Sequence, residues 1–167
     1  MSRVIASVSA EALVHNVEVV RQMAPTARVS AVVKDNAYGH GLECVVEAIE
    51  SRVDGFSVAT LEEGVSLRSL GTKKPIWIFT GFQSVRELRQ MAEFALVPVV
   101  HSNYQIELLR SEDCRVSVIV EVDTGLGRLG FKTNEIQTSL HELSKTCKVE
   151  LVLSHFSSAD QLGAAQF

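Results

Sequence analysis

The chain has 167 residues, a formal net charge of −4, and 46% hydrophobic and 22% charged residues. Those proportions belong to a globular chain long enough for one ordinary hydrophobic core. The acidic balance provides neither a basic footprint for nucleic acid nor a polybasic surface for anionic lipid, so neither is an expected partner.

A short strand is expected first, at residues 4–8. Ser9 then caps a helix that carries Leu13, Val17 and Val20 on one stripe and ends before Pro25. From residue 29 onward, strand-like and helix-like segments alternate. Strands are predicted at 29–34, 55–59, 75–80, 95–100, 116–122 and 149–153. Helices are predicted at 42–50, 61–70, 84–93, 103–110 and 134–146, where apolar residues recur at spacings of three and four. This βα repeat is the pattern of a parallel sheet with crossover helices.

The strand at 116–122 narrows the fold class. Alternation puts Val116, Val118, Val120 and Val122 on one face and Ser117, Ile119, Glu121 and Asp123 on the other. A doubly wound sheet has helices on both faces and needs both to be apolar, whereas a barrel can direct Glu121 and Asp123 inward toward its mouth. The predicted fold is therefore an α/β barrel of the (β/α)8 TIM type. Six strands cannot close an eight-stranded barrel, which takes about 250 residues. The expectation is an incomplete barrel of about six βα units, either the front part of a larger protein or a piece whose two open sheet edges something else covers.

Three strand ends carry chemistry. The first is "AVVKDNAYGHG", residues 31–41, which sets Lys34 at the end of an apolar run. In isolation a lysine there is more often a solvated strand end. Active sites of parallel sheets, however, gather where strands pass into loops. Burial there would lower the amine pKa and leave a nucleophile able to attack an aldehyde, with Gly39 and Gly41 permitting positive φ beside a ligand.

The second cluster, "EVDTGLGRLGF" at 121–131, contains a literal G-x-G-x-x-G in Gly125, Gly127 and Gly130. That spacing supplies a rival reading, a dinucleotide-binding oxidoreductase. Against it, "FKTN" delays the following helix, and Ser154 and His155 stand after strand 149–153 where an acidic ribose ligand is required. The third cluster is "SHFSSAD", residues 154–160. His15, His101 and His141 show no metal-ligand spacing. Cys44, Cys114 and Cys147 form neither a disulfide framework nor a C-x-x-C pair, and read as reduced, mostly buried thiols. No run has the length of a membrane span or the form of a signal peptide, so the expected compartment is the cytoplasm.

All three clusters resemble one family, the alanine racemases. The first is similar to that family's A-V-V-K-A-[ND]-A-Y-G-H-G, differing at Asp35. The second is similar to D-[TS]-G-M-x-R-L-G-F, with Leu126 in place of methionine, and the third to [ST]-H-F-A-x-A-D. The resemblance implies pyridoxal 5′-phosphate as cofactor, held covalently by Lys34. Tyr38 would lie near its phosphate, Arg128 at its phenolic oxygen and near the substrate carboxylate, and His155 beside its ring.

It further implies interconversion of L- and D-alanine for cell-wall precursor supply by a homodimer. Lys34 would be the base on one face, and a tyrosine of the other subunit's C-terminal domain, beyond residue 167, would act on the opposite face. Many members carry a carbamylated lysine where this chain has Glu121, so Glu121 is expected to pair with Arg128 and supply that anion directly. The chain alone is expected to bind the cofactor weakly and racemise poorly. Alternatives are a cofactor-binding barrel without racemase activity, an inert scaffold, or a basic amino acid decarboxylase, whose turn usually lacks the Y-G-H-G continuation.

Overall fold

A computed structural model describes residues 5–112 and 116–159, which divide after Trp77 into two compact units. In the first unit, helix α1 (Ala10–Met23) starts as its sequence dictates. The Ser9 hydroxyl accepts a hydrogen bond from the Ala12 amide at 3.1 Å, meeting one of the orphan donors of the first turn. Leu13 and Val17 are half-buried, while Val20 is exposed.

Strand β1 (Ser30–Val32) pairs in parallel with β2 (Gly55–Val58), Ala31 lying opposite Phe56. Between them runs helix α2 (Leu42–Ile49), which buries Val45, Val46 and Ile49 and passes into a 3-10 turn at Glu50–Arg52. All four residues of β2 are buried, as expected of a parallel strand covered on both faces. Asp54 links the elements at this end of β2. Its carboxylate accepts from the Val29 amide at 2.7 Å and from Arg21 at 2.9 Å. Those two partners, the Val29 amide first, hold its pKa below the ordinary value. Helix α3 (Leu61–Ser69) follows, and then strand β3 (Ile76–Ile78).

The second unit contains α4 (Val85–Glu93), β4 (Val97–Val100), α5 (Asn103–Arg110), β5 (Ser117–Asp123), β6 (Phe131–Lys132), α6 (Ile136–Leu143) and β7 (Lys148–Ser154). Strand β5 is its organising element. It pairs in parallel with β4, with Val99 opposite Ile119, and with β7, with Glu121 opposite Leu153. Residues Val118 to Val122 of β5 are all buried, so both faces are covered and Glu121 is a carboxylate inside the fold.

Three expectations are corrected. Residues 5–8 form no strand; residue 4 lies outside the described residues. Strand β6 was not expected. It is two residues long and pairs in parallel with the end of β5, Val122 opposite Phe131, because buried Phe131 anchors the returning loop. Cys44 is exposed rather than buried, on the outer side of α2, and Cys147 is half-buried; both are free thiols, and Cys114 lies outside the described residues. Among the described residues, no helix is long and apolar enough to cross a membrane, and no group of acidic, histidine or cysteine side chains could hold a metal ion.

Candidate active site

Lys34 does not lie in β1 but two residues past its end, at the start of a turn that runs the wrong way for L-residues. Asp35, Asn36, Ala37 and Tyr38 have φ between 53° and 55°, and Gly39 follows at 83°. The amides of Ala37 and Gly39 donate to the carbonyls of Val33 and Asp35, at 2.9 and 3.0 Å, so this is one turn of left-handed helix. Left-handed geometry costs roughly 1–2 kcal/mol for each non-glycine residue, about 4–8 kcal/mol for four. Strain of that size persists only where the surroundings over-determine it, and such segments concentrate at functional sites. Gly39 and Gly41 do take positive φ as expected, but most of the turn is built without glycine.

Several contacts hold the turn. Asn36 accepts through Oδ1 from the Leu42 amide at 2.8 Å, His40 Nδ1 lies 2.9 Å from the Ala37 carbonyl, and the Asp35 amide donates to Glu63 at 2.6 Å. Ala37 is buried beneath it. The Lys34 Nζ lies 3.4 Å from the Asp35 carboxylate and 5.8 Å from the centre of the Tyr38 ring. Both partners belong to its own turn, so the amine is tethered locally instead of being locked into the core. Tyr38 is exposed.

In the second unit, loop 124–130 leaves β5 and is ordered by Asp123. One carboxylate oxygen accepts from the amides of Gly125 and Gly127, both at 3.0 Å. Those amides, Gly127 first, hold the Asp123 carboxyl below its usual range. Thr124 and Ser154 join the loop to the end of β7 through their hydroxyls, 2.6 Å apart. The glycines therefore serve a strand-hugging loop, and the segment returns to the sheet as β6 rather than opening a helix under a pyrophosphate. That arrangement removes the structural basis of the dinucleotide reading.

Glu121 is 7% exposed, and burial pushes its pKa above the ordinary carboxylate value. Its proximity to His101, Arg128 and His155 acts in the opposite sense. Three of the residues singled out from the sequence, Glu121, Arg128 and His155, thus share one electrostatic environment. The direct Glu121–Arg128 pair is not formed: among the described residues no hydrogen bond or ion pair joins them. The reason is geometric, since Arg128 is carried on an exposed loop while the short Glu121 side chain starts from a buried strand.

Two residues were missed. His101 follows β4, where the strand-end rule that selected Lys34 and His155 would have found it. It lies close enough to favour the ionised form of Glu121 and is fixed by a 3.1 Å contact from Nε2 to the Thr80 carbonyl and by fully buried Gln105, which accepts from its amide at 2.8 Å. Glu63 was legible in "TLEE", residues 60–63, a Ser/Thr-x-x-Glu capping box.

The sequence profile of the family described as "Alanine racemase, N-terminal domain" matches residues 8–167. The alanine racemase of Actinobacillus succinogenes is 42% identical over 162 residues, covering 94% of this chain and 45% of that protein. Among solved structures, the biosynthetic alanine racemase of Pseudomonas aeruginosa superimposes with a TM-score of 0.86 at 32% identity, over 93% of this chain and 44% of that one. A histidine racemase from Leuconostoc mesenteroides subsp. sake gives 0.82 at 29% identity, over 93% and 44%. The chain spans less than half the length of these relatives, and with them it shares an α/β fold of parallel strands and alternating helices of the barrel type. By sequence profile and by fold, the chain belongs to the alanine racemase N-terminal domain family.

Proposed function

We propose that this chain supplies the lysine-bearing part of a pyridoxal-phosphate-dependent amino acid racemase, with L- and D-alanine as its substrates. The observation that carries the reading is the Lys34 turn: four strained residues hold one amine just past a strand end, and among the described residues its partners come from the same turn. The donor set fits the cofactor, because a primary amine can bind its aldehyde while the exposed Tyr38 hydroxyl can donate a hydrogen bond to a phosphate. When bound, pyridoxal phosphate supplies an electron sink that makes the α-proton of an amino acid removable.

The chain's own residues have separate tasks. Lys34 Nζ would serve as the acid/base on one face of the α-carbon, taking the proton from one antipode or delivering it to form that antipode. In the second unit, the exposed Arg128 guanidinium offers a fork to a carboxylate or to the phenolic oxygen, and exposed His155 offers a ring to stack. Glu121 provides a buried carboxyl within electrostatic range of Arg128 and His155 without direct contact. Racemisation requires a second acid/base on the opposite face, and the reading assigns it to a partner subunit in a homodimer. The proposed compartment is the cytoplasm, and the proposed role is cell-wall alanine supply by a longer protein of which residues 1–167 are the N-terminal part.

The test uses the chain with pyridoxal phosphate, borohydride reduction and peptide mapping. The reading expects one labelled peptide carrying Lys34 and none in Lys34→Ala. Label spread evenly over the exposed lysines would defeat it. Formation of D-alanine from L-alanine by the longer protein, against no turnover, separates a racemase from a cofactor binder.

A further inference from the structure

We propose that Glu63 is the positioning residue for the Lys34 amine, an inference that rests on the reading of Lys34 given above. The carboxylate of Glu63 is shared between two elements. One oxygen closes the N-terminus of α3, accepting from the amides of Ala59 at 2.8 Å and Thr60 at 3.1 Å, while Thr60 Oγ1 accepts from the Glu63 amide at 3.3 Å. A capping box needs no more than this. The other oxygen accepts from the Asp35 amide at 2.6 Å, the short distance of a charge-assisted hydrogen bond.

The bonded amide is the one that matters for Lys34. Within the left-handed turn, Ala37 and Gly39 find acceptors at Val33 and Asp35, but the Asp35 amide stands too early in the turn to have one. It is also the nitrogen of the peptide that joins Lys34 to Asp35. Its orientation sets the plane from which the Lys34 side chain departs, at the point where the chain enters positive φ. An acceptor fixed by the rigid first turn of α3 therefore determines both the handedness of the turn and the direction of the amine. Functional groups need placement within about 0.5 Å and 10–20°, which a side chain on a strained, unanchored turn would not keep.

Two variants of the full chain separate positioning from simple helix capping. Glu63→Gln retains the size and capping ability of the side chain but offers only one acceptor oxygen, so it cannot serve both elements. Thr60→Ala removes the other half of the box and leaves the Asp35 bond in place. The measurements are amide hydrogen exchange at residues 35–41 and the rate and pH dependence of borohydride-trapped pyridoxal phosphate at Lys34. With Glu63→Gln, exchange at 35–41 should accelerate about tenfold, and trapping should slow by a similar factor with a displaced pH midpoint. Thr60→Ala should change exchange only near residues 60–64.

Wild-type exchange at 35–41 in Glu63→Gln, or equal effects of both variants there, would overturn the positioning role and leave Glu63 as a cap. Accelerated exchange with unaltered trapping would also overturn it, with the cofactor reading intact. Absence of trapping even in the wild type would remove the cofactor reading itself, and the positioning role with it.

Discussion

Gly130 closes the loop that carries Arg128, and its substitution by alanine tests whether that loop is shaped by the sheet. A Cβ at this position would lie 2.6 Å from the Asp123 amide nitrogen, 2.9 Å from the Val122 carbonyl carbon and 3.2 Å from the Glu121 carbonyl oxygen. All three are backbone atoms of β5, which cannot swing aside as a side chain would. The residue also has φ of 109°, which L-residues rarely adopt. Backbone strain of about 1–2 kcal/mol joins an overpacking cost of about 1–3 kcal/mol, so Gly130→Ala should lose roughly 3 kcal/mol. In a chain of this size that lowers Tm by about 6–12 °C. Gly127→Ala is the internal control. It sits in the same loop at φ of 70° with open space around its Cβ, and should lose only about 1 kcal/mol. Thermal and urea unfolding of the two variants side by side decide the matter. Equal losses would show that close approach to β5 is not what requires a glycine at 130.

The remaining predictions concern buried polar groups and the loop carboxylate. Because the folded-state pKa of Glu121 is raised above its ordinary value of 4.5, chiefly by burial, its contribution to stability is complete below that value and is lost as pH rises through the folded pKa. Glu121→Gln should therefore gain stability relative to wild type with rising pH in urea titrations, and a constant difference between the two would contradict the assignment. Gln105 is fully buried and bridges the His101 amide, at 2.8 Å, to the Phe82 carbonyl, at 3.2 Å. Gln105→Leu should cost about 2–3 kcal/mol, seen as a lower urea midpoint at unchanged slope. The Asp123 carboxyl has a lowered pKa, so the stability it contributes is present above its ordinary 3.8 and lost as pH falls through the folded value. Asp123→Asn should shrink that acid-side loss, and amide exchange at Gly125 and Gly127 should quicken in parallel.

Much of the fold was legible because its signals are local. Ser9 before an apolar stripe announces a helix start, and the alternation along residues 116–122 puts Glu121 on the inward face whatever else packs around it. The strand-end rule pointed to Lys34 and to the segments after two later strands, the family resemblance singled out Arg128 and His155 within those segments, and the same rule applied evenly would have pointed to His101. Strand β6 escaped because two residues carry no periodicity; only the burial of Phe131 against the end of β5 makes them a strand.

The sequence by itself determined the alternation of the longer strands and helices from residue 29 onward, which follows from spacing along the chain, and three of its motifs carried the family resemblance. Tertiary structure alone decided the hand of the turn after Lys34. The sign of φ at Asp35, Asn36, Ala37 and Tyr38 opposes their intrinsic preference, and no local pattern announces such a choice. The turn is held by several contacts together, among them a bond from the Asp35 amide to Glu63, 28 positions away in the chain, to which the proposed positioning role belongs. The separation of Arg128 from Glu121 was settled in the same way, by a buried strand and an exposed loop whose geometry the residue types do not specify.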